Sequence, residues 1–259
     1  MKKTLVFVLL LTLICNAKAQ TDEAVIIQQA SQSIAIDPQG CIYAVNDATL
    51  SKYNSNGELL YSYTNNLLGD IASIDVDNPL KIMLFYRDAG SIVFLNDKLS
   101  PIGNTLDLFS KGLTTISLAT YSTKNNLILY DEANGDLIIL DFYFNEKERI
   151  HYNFNLFQPV ILKDVNEKKI YMQDTKKGIY FFDSFGTYDM NIAVLSDYPV
   201  QIFKDYIFYI KDYQLNRYTY SRLENEQLAE LPENTLQALV YQHKIILSDG
   251  KTISINNLK

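Results

Sequence analysis

The run Cys41-Ile42-Tyr43-Ala44-Val45 follows a turn and has the β-branched and aromatic make-up of a strand. Runs of the same kind return five times: Lys81-Ile82-Met83-Leu84-Phe85, Leu127-Ile128-Leu129-Tyr130, Lys169-Ile170-Tyr171-Met172, Tyr206-Ile207-Phe208-Tyr209-Ile210 and Lys244-Ile245-Ile246-Leu247. Anchored on Ile42, Ile82, Ile128, Ile170, Ile207 and Ile245, the steps are 40, 46, 42, 37 and 38 residues. A repeat of that length is too long for a single hairpin and too short for a domain. Each copy must therefore bury its faces against its neighbours.

Within each unit a first strand precedes the anchor run, at residues 33–37, 72–76, 115–119, 160–163, 200–204 and 236–241. A third follows a polar turn, at 50–53, 91–95, 137–142, 179–183, 215–220 and 253–255. Outer strands are expected at 59–63, 102–106, 150–154 and 190–194, and 223–231 reads as a short helix or, fitting the pattern better, as the outer strand of the fifth unit. The sixth unit has only Asn256 to Lys259 after its third strand, whereas Ala24-Val25-Ile26-Ile27 is a β run without a unit. Placing 24–27 as the outer strand of the last unit closes a circle and leaves no unpaired edge at the junction. The expected fold is all-β, a six-bladed β-propeller with four antiparallel strands per blade, closed by the first strand of the mature chain.

The β-branched first strand, the turn, the I-Y or I-x-L second strand and the hairpins Asn54-Ser55-Asn56-Gly57 and Asp183-Ser184-Phe185-Gly186 resemble six-bladed propellers of the NHL and YVTN-like kind. The resemblance extends over nearly all of residues 20–259. It implies a disc used for binding or scaffolding or, in some relatives, a lyase or hydrolase whose channel holds a divalent ion through Glu, Asn and Asp. Here the inner strands offer Asp37, Asp75, Asp77 and Lys163, then mainly Ser117, Thr120, Gln201 and Gln237, which departs from such a ring.

Elsewhere, too, the chain lacks the usual signatures of chemistry. His151 and His243 have no partner at ligand spacing, and there is no nucleophile elbow, phosphate loop or dinucleotide fingerprint. Cys41 reads as a small buried residue rather than a nucleophile. No catalytic residue, metal site or cofactor is expected.

The composition fits a folded exported domain. Of 259 residues 47% are hydrophobic and 20% charged, enough for a core and too apolar for a disordered chain. The net charge of −7 argues against nucleic acid as a partner. Residues 1–19 read as a signal peptide: Lys2 and Lys3, an apolar run from Leu5 to Cys15, then Ala17-Lys18-Ala19 before Gln20. That apolar run is too short to cross a bilayer, and no later segment of the mature chain is long enough. Cleavage removes three lysines and no acid, taking the charge to −10, and leaves Cys41 as the one cysteine, so no internal disulfide is possible. The expected location is periplasmic or extracellular, peripheral to an outer membrane at most, with residues 20–259 forming one domain.

The candidate site is the face that carries the turns between second and third strands and the loops between blades. Each of those turns holds an acid: Asp47, Asp88, Asp131, Asp174, Asp212 and Asp249. Asp suits a tight turn on its own account, and six together would also form an acidic rim. Arg87 sits beside Asp88, and Phe109, Phe154, Phe157 and Tyr198 in the linking loops are the aromatics a protein interface would use. The expectation is a protein-binding or scaffolding component of an envelope or secretion assembly. Alternatives are a channel-centred metal-dependent hydrolase or lyase, and a sensor of a small sugar or peptide.

Overall fold

Both faces of the anchor runs are apolar, so each run must lie between two neighbours, and a ring of sheets packed face to face provides that in every unit. The computed structural model describes residues 24–122, 124–152, 158–165, 169–196 and 198–258. β1 (Val25–Ile27) comes first. Blade one is β2 (Ser33–Ile36), β3 (Ile42–Asn46), β4 (Thr49–Tyr53) and β5 (Leu59–Thr64). Blade two is β6 (Ser73–Asp75), β7 (Ile82–Tyr86), β8 (Ser91–Leu95) and β9 (Leu106–Asp107), followed by a 3-10 turn at Phe109–Lys111. Blade three is β10 (Ile116–Tyr121), β11 (Leu127–Asp131), β12 (Asp136–Leu140) and β13 (Glu146–His151). Blade four is β14 (Pro159–Val165), β15 (Lys169–Asp174), β16 (Gly178–Asp183) and β17 (Tyr188–Ile192). Blade five is β18 (Gln201–Phe203), β19 (Tyr206–Lys211), β20 (Gln214–Thr219) and β21 (Glu224–Glu230). Blade six is β22 (Gln237–Tyr241), β23 (Lys244–Ser248) and β24 (Ile253–Asn257), completed by β1, so that all six sheets have four antiparallel strands.

The closing strand pairs as Val25↔Ile255, Ile26↔Ser254 and Ile27↔Ile253. Ring closure thus joins the two ends of the described chain in one sheet.

Side-chain alternation along each second strand feeds two different cores. Tyr43 and Val45 pack towards blade two, while Ile42 and Ala44 pack towards blade six. Likewise Ile82, Leu84 and Tyr86 face blade one, and Met83 and Phe85 face blade three. Six such clusters, one at each blade-to-blade junction, make up the interior. Each fully buried Leu, Ile or Phe there stabilises the fold by roughly 1.5–3 kcal/mol.

One turn recurs on the face opposite the candidate site. Asn54, Asn96, Asp141 and Asp183 each accept the backbone N–H two and four residues on, at 2.8–3.0 Å. The residue three places on then has positive φ, and it is Gly57, Leu99, Phe144 or Gly186. Leu99 and Phe144 accept a left-handed conformation costing about 1–2 kcal/mol because their side chains are packed. Leu99 lies in the core between blades one and two, and Phe144 stacks on Phe94 at 5.9 Å.

The outer strands differ most from expectation. In blade two the edge at 102–106 is split into a single bridge, Leu95↔Pro101, and the two-residue β9, with Gly103 at positive φ between them. In blade three it lies at Glu146–His151, four residues before the apolar run at 150–154. Within 223–231, Glu224–Glu230 form β21, without a helix. Outer strands meet solvent, so apolar periodicity does not mark them.

Candidate functional site

Turns between second and third strands and loops between blades share one face, as expected; first–second and third–fourth turns share the other, called the hairpin face below. On the first, Asp131 and Asp174 are buried and bind their own turns. Asp131 accepts from Thr115 Oγ1 (2.6 Å), Asn134 Nδ2 (2.8 Å) and the N–H of Ala133 and Asn134. Burial pushes its carboxyl up, but these donors outweigh burial and hold it below the ordinary range. Asp174 accepts the N–H of Gln158, Lys176 and Lys177 at 2.8–3.1 Å. Asp249 accepts the N–H of Thr252 and Lys251, which lower its pKa. Asp47 is tied to Gln32 at 2.8 Å. Asp88, Asp212 and Arg87 stand exposed, with no side-chain hydrogen bond or ion pair among the described residues. Phe109 is exposed and lies over the turn at Gly90. Phe154 and Phe157 fall outside the described residues.

Two of the expected residues meet. Tyr198 and Asp212 line a cleft of about 330 Å³ between the loop linking blades four and five and the second–third turn of blade five, with Leu195, Ser196, Ile210, Lys211 and Tyr213. Tyr198 itself is partly buried against the blade five–six core. The loop forming one wall is held by buried Gln173. Its amide donates to the carbonyls of Ser196 (3.2 Å) and Tyr198 (2.8 Å), and its Oε1 accepts from Val200 N–H (2.9 Å). The other wall is the tight turn Asp212-Tyr213, where both residues have positive φ, 51° and 57°. An aromatic side chain is a poor choice for that conformation, which favours Gly or Asn. Tyr213 is nevertheless 52% exposed, so core packing does not offset the strain as it does at Leu99 and Phe144. Leu223, in a turn of the hairpin face, is likewise exposed at φ 56°, so Tyr213 is set apart by its aromatic ring and its place at the cleft. Sequence reading missed Tyr213, and its signal was a hairpin turn of two residues lacking glycine.

The inner strands explain their polar residues differently. Gln237 accepts the N–H of Ile34 (2.7 Å) across the seam between blades six and one. Gln201 exchanges two hydrogen bonds with Val240 across the seam between five and six. Asp75 of blade two accepts from the hydroxyl of Thr120 in blade three, and Lys163 of blade four reaches Asp75 (3.2 Å) and the carbonyl of Ile74 (3.0 Å). These side chains cap the inner edges of neighbouring strands, where backbone groups would otherwise be left open. Asp37 serves its own turn, accepting from Gln39, Cys41 and the Tyr43 hydroxyl. Cys41 is half-buried against the blade one–two core, and burial raises its thiol pKa. Among the described residues no three His, Cys, Asp or Glu side chains are grouped to hold a metal. His151 lies on an outer strand beside Asp136 (3.0 Å), and His243 lies in a turn on the hairpin face.

Asp77 is the exception in the channel. It reaches water yet is ringed by protein, and burial, then the Asp75 carboxylate, push its pKa up to about 7, against the pull of Lys163. The folded chain therefore keeps this proton to about pH 7, while the unfolded chain loses it near pH 4. Between those values the folded state binds more protons, so its stability falls as pH rises. Asp77→Asn removes that loss. Its melting temperature is expected to gain on the unaltered protein between pH 4.5 and pH 8, and a gap that stayed constant would refute the assignment.

No protein-family model and no curated protein matches the chain by sequence. Solved structures do match. A streptogramin B lyase superposes with a TM-score of 0.61 at 14% identity, covering 87% of this chain and 78% of the other. A catalytically inactive histidine-to-alanine variant of virginiamycin B lyase from Staphylococcus aureus, solved with quinupristin, gives 0.58 at 13%, covering 87% and 80%. PorZ, described as an essential surface component of the type-IX secretion system of Porphyromonas gingivalis, gives 0.53 at 11%, covering 92% of this chain and 38% of that one. The likeness is one of fold: a six-bladed β-propeller.

Proposed function

We propose that the chain is an exported, non-catalytic propeller that docks a protein partner in an envelope or secretion assembly through the face containing the Tyr198–Asp212 cleft. The observation carrying this is Tyr213, an exposed aromatic kept in a conformation that costs stability, at the rim of a cleft with a pinned wall. The channel argues the same way, since Gln201, Gln237, Asp75 and Lys163 are engaged between blades and Asp37 in its own turn, leaving Asp77 as the one inner carboxyl without a side-chain hydrogen bond among the described residues. The lyase variant above is inactive without its histidine, whereas the two here stand apart, His151 on the outer strand of blade three and His243 in a turn of blade six, and neither lines the cleft. PorZ supports a surface role for a disc of this shape. The leader at residues 1–19 supplies the route out of the cytoplasm.

Tyr213→Gly separates binding from folding. Glycine relieves the positive φ, so thermal stability should hold or rise by up to about 1 kcal/mol, while capture of the partner from envelope extracts should fall at least about tenfold, the size of a hot-spot loss. Tyr143→Glu, at an exposed tip on the hairpin face, should leave capture intact. Equal capture by Tyr213→Gly and the unaltered protein would sink the proposal, and loss with Tyr143→Glu instead would move docking to the other face.

A further inference from the structure

Each blade ends in an outer strand whose far edge no other strand covers among the described residues. Five of these edges are protected against pairing. β13 carries the charged run 146–149, β21 three glutamates and β17 Asp189, while β9 has two residues and β1 three. β5 is different. It is six residues long, Leu-Leu-Tyr-Ser-Tyr-Thr, with no acid or basic group, and Leu59, Leu60 and Tyr61 are 59%, 42% and 38% exposed.

Its backbone is set for a partner. The N–H of Asn65 donates to Ala48, and Tyr63 lies opposite Leu50 in the same register. Antiparallel alternation then turns Tyr61 and Tyr63 towards β4 and leaves the N–H and C=O of Ser62 and Thr64 pointing away from the blade. A bulge at Leu60 confines regular pairing to residues 61–64. Beside it, Val25 of β1 packs against Gly57 at the turn into β5. Val25, 38% exposed, so extends the apolar strip across the seam that closes the ring, while Ile26 leaves β1 on the opposite face.

We propose that β5 pairs with the β5 of a second copy, antiparallel across a two-fold axis, joining two blades into one eight-stranded sheet. Open amide and carbonyl groups call for an extended strand. A two-fold contact sets each residue near its own kind. In a chain of net charge −7, the uncharged strip is the edge that brings no like charges together. Four or five residue pairs fall short of the ~1,000 Å² of a lasting interface, which the exposed side chains of Leu59, Leu60 and Val25 help to supply. Pairing at the rim leaves both faces of the disc open.

Light scattering and sedimentation of the purified protein over a range of concentrations should record a reversible dimer. Leu60→Lys should weaken it at least tenfold with an unchanged melting curve. Independently, Ser62→Cys with Cys15→Ser and Cys41→Ser should give a covalent dimer with a short bifunctional maleimide, whereas Glu148→Cys on β13 in the same background should not. A monomer at every concentration, a dimer indifferent to Leu60→Lys, or equal cross-linking at 148 would each overturn the proposal, the first pointing to a strand from another protein.

Discussion

Ile27→Asp is expected to lower the melting temperature by about 10–15 °C, while Ile26→Asp, one residue away, shifts it by about 2 °C or less. The two side chains leave β1 on opposite faces. Ile27 is buried between blades six and one, packed with Ile34, Ile42, Tyr53, Ile253 and Ile255, whereas Ile26 is mostly in water. An aspartate at 27 puts a carboxylate into a junction of apolar side chains whose Tyr53 hydroxyl already donates to Gln29 (3.2 Å), a loss of several kcal/mol. Its consequence exceeds that of the same change in any other outer strand. β1 holds the ends of the ring together, and without it β24 becomes an open edge. Circular dichroism melts of both variants decide the matter. Equal shifts would mean that β1 rests on the disc without closing it.

Strand closure was readable in the sequence because a surplus at one end of the chain matched a deficit at the other. The second and third strands of every unit were readable for a different reason. Buried on both faces, they keep unbroken apolar runs such as 82–86 and 137–140. Outer strands obey no such rule. Glu146 to His151 is a strand because β12 pairs with it, and nothing in its charged sequence says so. Leu99 and Phe144 were hidden likewise, since the turn they occupy normally announces itself by glycine, and here packing from a neighbouring blade compensates.

That the second–third turns and the linking loops share one face was legible in the sequence, and the cleft within that face was not. Six turn acids are present on one face, yet Asp131, Asp174 and Asp249 bind their own loops, a local habit of Asp that spacing alone does not distinguish from an acidic rim. The cleft joins residues from loops fourteen positions apart, and Tyr213 in its wall is singled out by a backbone angle, which no composition records. In the channel the same four polar residues, Asp37, Asp75, Asp77 and Lys163, were visible from the start. Asp37 serves its own turn, whereas the roles of Asp75 and Lys163 depend on contacts spanning 45 to 89 residues of sequence.

Lys163→Met should cost about 3–5 kcal/mol in urea unfolding, the loss typical of a buried pair deprived of one member. Asp75 is almost wholly buried, and the ammonium of Lys163 is its one countercharge among the described residues, joined by the Thr120 hydroxyl and the N–H groups of Asp77 (3.1 Å) and Tyr121 (3.4 Å). Burial would strip the proton from Lys163, but Asp75 and then Asp77 hold its pKa above the ordinary lysine value, so the pair is ionic. Through it blade four grips blade two, past blade three, which itself grips Asp75 through Thr120. Adding Asp75→Asn to Lys163→Met removes the stranded carboxylate and should restore most of the loss, a coupling well above the 0.2–1 kcal/mol of an exposed pair. Lys163 also restrains the proton affinity of Asp77, so the single variant should move that carboxyl above pH 7 and the double variant should bring it back down, because Asp75 also raises it. A loss under about 1 kcal/mol, with no recovery in the double variant, would mean that channel water screens the pair and that the apolar junctions alone hold the three blades in register.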